Sequence, residues 1–260
     1  MMGAQQPSTA PVQAAPAASV STQASTSAMT AAETPVANPA PIAAPPEAAP
    51  VIAPAIEAVM LTPFANPEAL ARETEAMDAL VIGPAAGLDE VTVANISAVS
   101  QGGAALVIDA DGLSVFKGRS SDLFAVLDRD DVLTPHEGEL ERLLPGVLES
   151  AAERISATRR AAELAEAVVL LKGHDTVVAA PDGRAAVALN GSPWLATAGA
   201  GDVLAGYIAG LVAQGMDSFE AACAATWIHA EAAHAHGPGL IAEDLPGLTP
   251  MVLRRLYAAS

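Results

Sequence analysis

From about residue 68 onward, short continuous apolar runs alternate with helical stretches, and this alternation constrains the fold more than any other feature. The runs 78–82 (DALVI), 104–108 (AALVI), 131–134 (DVLT) and 167–172 (AVVLLK) lack the polar alternation of a half-exposed strand. Helical spacing intervenes at 68–77, 89–101, 120–127, 137–144 and 149–166. Strands that are apolar on both faces and separated by helices specify a mostly parallel sheet covered on both sides. The runs 175–180 and 184–189 flank Pro181-Asp182-Gly183 and read as a hairpin. Further helices are expected at 202–214, 217–236 and 246–257. The expected architecture is an α/β fold, a three-layer α/β/α sandwich around a mostly parallel central sheet. Ligands of such sheets sit beyond the carboxyl ends of the strands, and the polar motifs of this chain fall there.

Composition narrows the function classes. A net charge of −18 and a pI near 4.4 argue against nucleic acid or an anionic membrane as partner. A nucleotide remains compatible, because a helix N-terminus binds phosphate even inside an acidic protein. Aromatic residues make up only 3% of the chain, so Ala, Val and Leu must fill the core. Cys223 is the one cysteine, which excludes an intrachain disulfide framework and a Cys-based zinc cluster. No apolar stretch reaches the roughly 18 residues of a membrane helix, and the N-terminus lacks a basic, apolar leader. The expectation is a soluble cytoplasmic protein. Residues 1–50 are rich in Ala, Pro, Ser, Thr and Gln and are expected to be disordered, with the folded domain spanning 51–260. Pro54 argues against a regular element at 51–60.

The richest motif is 195–206, LATAGAGDVLAG. Gly199, Ala200 and Gly201 let backbone amides converge without bulky side chains, and the following helix adds positive potential where those amides point. The result is an anion hole suited to a terminal phosphate, with Asp202 placed as general base or orienting group for a hydroxyl nucleophile. An N-capping Asp after a flexible turn is the plainer reading of GxGD alone. Four more strand-end motifs accompany it: VIGPAAG at 81–87, VIDADGL at 107–113, LTPHEGE at 133–139 and LKGHDT at 171–176. Asp109 and Asp111 are expected on one face of an extended segment, able to orient hydroxyls or a hydrated magnesium ion. Lys172, one of only two lysines, supplies a point charge for phosphates; Gly173 permits close approach and Thr176 a hydrogen bond.

These motifs resemble, in order and spacing, those of the NAD(P)H-hydrate dehydratases of the ribokinase-like superfamily. LATAGAGDVLAG and the helix after it, with Gly206, Ile208, Gly210, Leu211, Ala213, Gln214 and Gly215, carry the likeness; small-molecule kinases share only GxGD. At VIGPAAG, Ala85 and Ala86 replace the family's Gly and Leu. The resemblance implies a ribokinase-like fold and dehydration of NADHX or NADPHX driven by ADP or ATP with Mg2+. It implies that Asp202 is catalytic and that Gly87, His136 and Asp202 meet the hydrated dinucleotide. It further implies that Lys172, Gly173, His174, Asp175, Thr176 and Gly201 border the adenine nucleotide. Asp109, Asp111 and Glu139 then lie near magnesium or phosphate. A homo-oligomer, a tetramer, is implied as well.

Residues 1–46 do not match the family's first strand, glycine-rich turn and Ala-rich helix, and the pattern resumes near Pro46-Glu47. A shifted reading frame in a GC-rich gene is one origin for such a replacement, and a divergent tail is the other. Losing that strand would expose a sheet edge and open the pocket. No epimerase domain precedes the match, so dehydratase chemistry alone is expected. Two alternatives stay open: a vitamin kinase of the same fold, and a non-catalytic nucleotide-binding remnant. His229, His234 and His236 lack the partners of a metal site, Cys223 reads as core, and Trp194 and Trp227 as core or pocket edge. Residues 238–245 (PGLIAEDL) read as a structural closure behind the anion hole.

Overall fold

The computed structural model describes residues 41–259, and Ala40–Ser260 form one compact unit. Residues 1–40 of the expected disordered segment lie outside the described residues. Its last ten are ordered, contrary to the expected boundary at residue 51. Strand β1 (Ile42–Ala44) pairs in parallel with β2 (Leu61–Pro63) after an intervening helix α1 (Ala49–Ile52) and a 3₁₀ turn at Ala53–Ala55. Prolines do not prevent this, because Pro50 and Pro54 each occupy a first helical turn, where the missing N–H has no partner to lose. Helix α2 (Pro67–Thr74) follows, capped by the Asn66 side chain accepting from Ala69 N at 2.8 Å.

The remaining strands form one six-stranded sheet in the order β3-β4-β5-β6-β7-β8. Strand β3 (Ala79–Ile82), helix α3 (Glu90–Val99) and β4 (Ala105–Ile108) make the first crossover. Short helices α4 (Asp111–Ser114) and α5 (Ser120–Phe124) lead to β5 (Val132–Leu133). Helices α6 (Glu137–Leu143), α7 (Val147–Ser150) and α8 (Arg154–Ala165) lead to β6 (Val168–Leu171). Strands β3 to β6 are parallel, while β7 (Val177–Ala179) and β8 (Ala185–Val187) add the expected antiparallel hairpin. Helices α9 (Ala200–Val212), α10 (Ser218–His236) and α11 (Asp244–Ala259) close the chain.

Alternation along each central strand divides the core into two layers. Leu106, Ile108, Leu133, Val169 and Leu171 face Ile96, Leu140, Ala157 and Ala161 on one side. Val107, Val132, Val168 and Leu170 face Leu204, Ile208, Ala222 and Ala225 on the other. The expected sandwich is therefore present, with alanine-rich helices packing closely against branched strands. Among the described residues no helix is long and apolar enough to cross a membrane.

Behind β3 the chain turns through Gly83-Pro84-Ala85-Ala86, closed by Ala86 N donating to Gly83 O at 3.0 Å. Gly83 has φ +127, and a Cβ there would overlap the Asp109 carbonyl of the neighbouring strand end. Ala85, the residue standing where the resemblance expects glycine, has φ +55. This turn therefore predicts opposite outcomes for two substitutions. Gly83→Ala should destabilise the protein by several kcal/mol by displacing backbone. Ala85→Gly should stabilise it by about 0.5–1 kcal/mol, since left-handed strain exceeds the entropy glycine adds to the unfolded chain. Denaturant unfolding of both variants checks the pair; a stabilising Gly83→Ala or a destabilising Ala85→Gly contradicts the geometry.

Candidate active site

Three parallel strands end on polar residues, two of which meet the start of α9. Asp109 follows β4, His136 follows β5 and Lys172 follows β6. Parallel register places these ends side by side, and a bridge between His136 and Lys172 extends the sheet by one position. Lys172 Nζ donates to Asp109 Oδ1 at 2.6 Å and lies 3.9 Å from Glu139 Oε2. The Asp109 side chain is 2% exposed and that of Lys172 22%, so the pair is shielded from water.

Helix α9 begins above this pair. Gly199 is its N-cap with φ +82, a left-handed conformation, and Ala242 packs against it. A Cβ on Gly201 would lie 3.4 Å from Lys172 Nζ and 3.5 Å from Asp109 Oδ2, so this first turn sits over the ion pair. The amides of Gly201 and Asp202 fall where a helix offers no carbonyl partner, while Ala200 N donates weakly to Thr197 O at 3.4 Å. Burial and then the nearby Asp109 carboxylate raise the Asp202 carboxyl above its usual range, and Lys172 partly opposes them. The turn thus combines unpaired amides, a helix dipole and a partly buried carboxylate, the elements needed to hold an anion beside a proton acceptor.

His136 caps α6. Its Nδ1 accepts from Gly138 N at 2.9 Å and Glu139 N at 3.3 Å, and Glu139 Oε2 accepts from His136 N at 2.8 Å. This reciprocal capping box leaves the neutral ring's proton on Nε2, which faces Glu139 Oε1 at 3.5 Å. The His136 side chain remains half exposed. Glu139 is buried and serves the cap and Lys172 together.

Asp111 departs from the sequence expectation. Ala110 has φ +51 and ψ −118, so the chain breaks out of the strand and Asp111 opens α4 rather than sharing a face with Asp109. Asp111 Oδ2 accepts from Gly87 N at 3.0 Å, which fixes the glycine turn, whereas Asp109 faces Lys172. Gly87 and Asp111 are thereby brought together, but neither lines the main cleft. That cleft, of about 560 Å³, is lined by His136, Glu137, Gly138, Arg154, Lys172, Gly173, His174 and Asp175. Thr176 closes the loop beneath it, its Oγ1 donating to Gly173 O at 3.1 Å. Arg154 was not signalled by any motif. Its place in the cleft arises because α8 starts beside the end of β6.

Among the described residues no group of three metal-ligating side chains is assembled. The site therefore holds no all-protein cation cage. Asp109 and Glu139 offer the hard oxygen donors that suit magnesium arriving on phosphates with its own waters. Cys223 is half-buried and burial pushes its thiol up to about 11, so it is no nucleophile. It lines a separate, mainly apolar groove together with Trp227.

A family model described as NAD(P)H-hydrate dehydratase matches residues 10–242. The chain belongs to this family. The match begins well before Pro46, where sequence reading placed its start. A bifunctional NAD(P)H-hydrate repair enzyme of Salinibacter ruber is 38% identical over 198 residues, 74% of this chain and 36% of that protein. The chain thus spans little more than a third of that relative's length. An ADP-dependent (S)-NAD(P)H-hydrate dehydratase of Neisseria meningitidis is 38% identical over 170 residues, covering 64% of this chain and 57% of that one. The crystal structure of the ADP/ATP-dependent NAD(P)H-hydrate dehydratase of Bacillus subtilis, co-crystallised with ATP and magnesium, superposes with a TM-score of 0.66. Its identity is 26%, over 80% of this chain and 76% of that one. A ribokinase-like superfamily protein of Enterococcus faecalis gives 0.64 at 25% identity, covering 76% of this chain and 70% of that one. The dehydratase family thus shares the three-layer sandwich found here.

Behind α9 of this family member lies His229, 5% exposed, with Nε2 lacking a hydrogen-bond partner. Burial pushes its imidazole down to about 4, partly offset by the Ala200 backbone. Across the sheet, burial pushes buried Asp131 up to about 6 against the amides of Leu106 and Asp128. The signs oppose. Folded His229 excludes a proton that the unfolded chain binds, so its contribution is complete above pH 6.5 and is lost on acidification towards 4. Folded Asp131 retains a proton that the unfolded chain releases, so its cost is relieved as pH falls from 6 towards 4. His229→Gln should remove an acid-labile contribution on the order of 3 kcal/mol, leaving the variant relatively more stable than its parent at pH 4.5 than at pH 7.5. Unfolding free energies at both pH values test this, and an unchanged difference contradicts a neutral buried His229.

Proposed function

We propose that this chain dehydrates (6S)-NADHX and (6S)-NADPHX to NADH and NADPH at the expense of ADP or ATP. Asp202 at the mouth of the α9 amides, above the Lys172–Asp109 pair, carries this reading. In the proposed reaction Asp202 accepts the proton of the hydroxyl at C6 as its oxygen bonds to the terminal phosphorus, releasing the shortened nucleotide. The amides of Gly201 and Asp202, with Ala200, hold the oxygens of the transferring group. Lys172 and the 173–176 loop border the remaining phosphates, and His136 and Gly87 border the hydrated dinucleotide. Phosphate then leaves C6 with the bonding electrons and a ring proton is lost, restoring the reduced nicotinamide. Magnesium, when bound, neutralises phosphate charge beside Asp109 and Glu139. Hydroxide is a poor leaving group and phosphate a good one, which is why a phosphate-binding site serves a dehydration. The working form we infer is a cytoplasmic homo-oligomer, tetrameric as the resemblance implies.

Recovery of absorbance at 340 nm from NADHX, dependent on ADP or ATP and magnesium, is the expected outcome for the purified chain. Asp202→Asn should lower the rate by roughly 10³-fold while nucleotide still binds. The parent rate should fall on acidification through the raised Asp202 pKa, because only the carboxylate accepts the proton. Recovery without nucleotide, or full activity in Asp202→Asn, overturns the reading. A stable phosphorylated product points to a vitamin kinase instead, and nucleotide binding without turnover to a non-catalytic chain.

A further inference from the structure

Arg154 lies far in sequence from every motif, 18 residues before Lys172 and 17 after Glu137, yet it touches both. Its Nη1 donates to Glu137 on the first turn of α6. Nη2 donates to the backbone carbonyl of Lys172 at 3.4 Å, and Nε lies 3.3 Å from Asp175 Oδ1. The side chain is 23% exposed, so the contacts are partly shielded from water. Nη1 and Nη2 each donate a hydrogen bond to a protein oxygen, while buried Nε has no hydrogen-bond partner and meets Asp175 only as an ion-pair contact, so the charge is directed at the two walls of the cleft. Gly173 makes room for this arrangement, since a Cβ there would run into the guanidinium.

We propose that Arg154 is a positioning residue that fixes the 172–176 loop against the first turn of α6, so that one side chain sets both walls of the cleft. The proposal rests on the reading of that cleft as the nucleotide site. Two consequences follow from charge and shape. Glu137 and Asp175 are carboxylates beside a cleft meant for an anion, and Arg154 offsets one of their two negative charges; without it they repel the nucleotide more strongly. A Cβ on Gly173 would displace the guanidinium, so the two residues should act as a unit.

The test compares Arg154→Gln, Arg154→Lys, Gly173→Ala and the Gln/Ala double variant, with folding monitored by circular dichroism. Arg154→Gln should raise the nucleotide KM about 10-fold with kcat changed less than about threefold. In the ligand-free protein it should speed amide exchange at 173–176 and 137–139 while leaving β4 and β6 protected. Lysine keeps the charge without the fork and should recover only part of the affinity. Gly173→Ala should reproduce the Arg154→Gln phenotype and add nothing to it. Unchanged KM and exchange in Arg154→Gln, full recovery by lysine, or additive Gly173→Ala and Arg154→Gln effects would each overturn the proposal. Failure of the unmodified chain to act on NADHX would remove the functional reading, while amide exchange in the ligand-free variants would still decide the strut.

Discussion

The Lys172–Asp109 ion pair is the constraint around which the rest of the site is arranged. It joins the ends of β6 and β4 across β5, and both partners are largely removed from water. Removing either partner from such a pair leaves an uncompensated buried charge, at a cost of about 3–5 kcal/mol. Replacing both with apolar groups would cost less, so stability alone does not account for the pair. Its position does: the ammonium lies beneath the first turn of α9 and beside Glu139, so one cation orders three carboxylates around a patch of unpaired amides.

Backbone geometry holds that arrangement in place. Gly83 approaches the Asp109 carbonyl more closely than any side chain allows, and Gly112 packs back on Gly83, where a Cβ would lie 3.0 Å from its Cα. Between Asp109 and Asp111, Ala110 accepts a strained conformation that sends the two carboxylates to different tasks. One faces Lys172 and the other holds the Gly87 amide. The capping box of α6 likewise uses His136 and Glu139 to satisfy backbone before either meets a ligand. Asp109, Asp111, His136, Glu139 and Lys172 are therefore fixed by contacts within the protein, the condition for preorganised electrostatics.

Much of this was legible in the sequence, and the physical reasons for success and failure differ. Strands β3 to β8 were readable because short, unbroken apolar runs bounded by turn residues have few other uses between helices. The motifs at 109, 136, 172 and 199–202 were readable because glycine, proline and charge cluster at strand ends. The break between α7 and α8 was not, since Ala151 leaves the helix at ψ 139 without a proline or glycine to announce it. Strand β1 was hidden among prolines: Pro41 and Pro45 flank it directly, and Pro50 and Pro54 occupy the helical first turns that follow. The split of Asp109 from Asp111 was hidden because alanine carries no sign of positive φ. Arg154 was invisible for another reason: its partners are distant in sequence and meet it only through the packing of α8 against the sheet.

Charge counting connects the chain's acidity to the chemistry proposed for it. Asp109, Glu139 and Asp202 supply three negative charges and Lys172 one positive, so the centre carries a formal deficit of two before any ligand arrives. Arg154 is already committed to Glu137 and Asp175 and cannot contribute a free charge. The helix dipole, worth about 0.3–2 kcal/mol, does not by itself offset a formal deficit of two for an incoming polyphosphate. The proposed nucleotide therefore needs a divalent cation on its phosphates, which offsets part of the combined negative charge. Burial, and after it the Asp109 carboxylate, raises the proton affinity of Asp202. A bound divalent cation would lower that affinity again, whereas the phosphates it accompanies would raise it. In the proposed reaction, the cation would thus serve both the phosphates and the base, by offsetting charge that would otherwise hold the proton on Asp202.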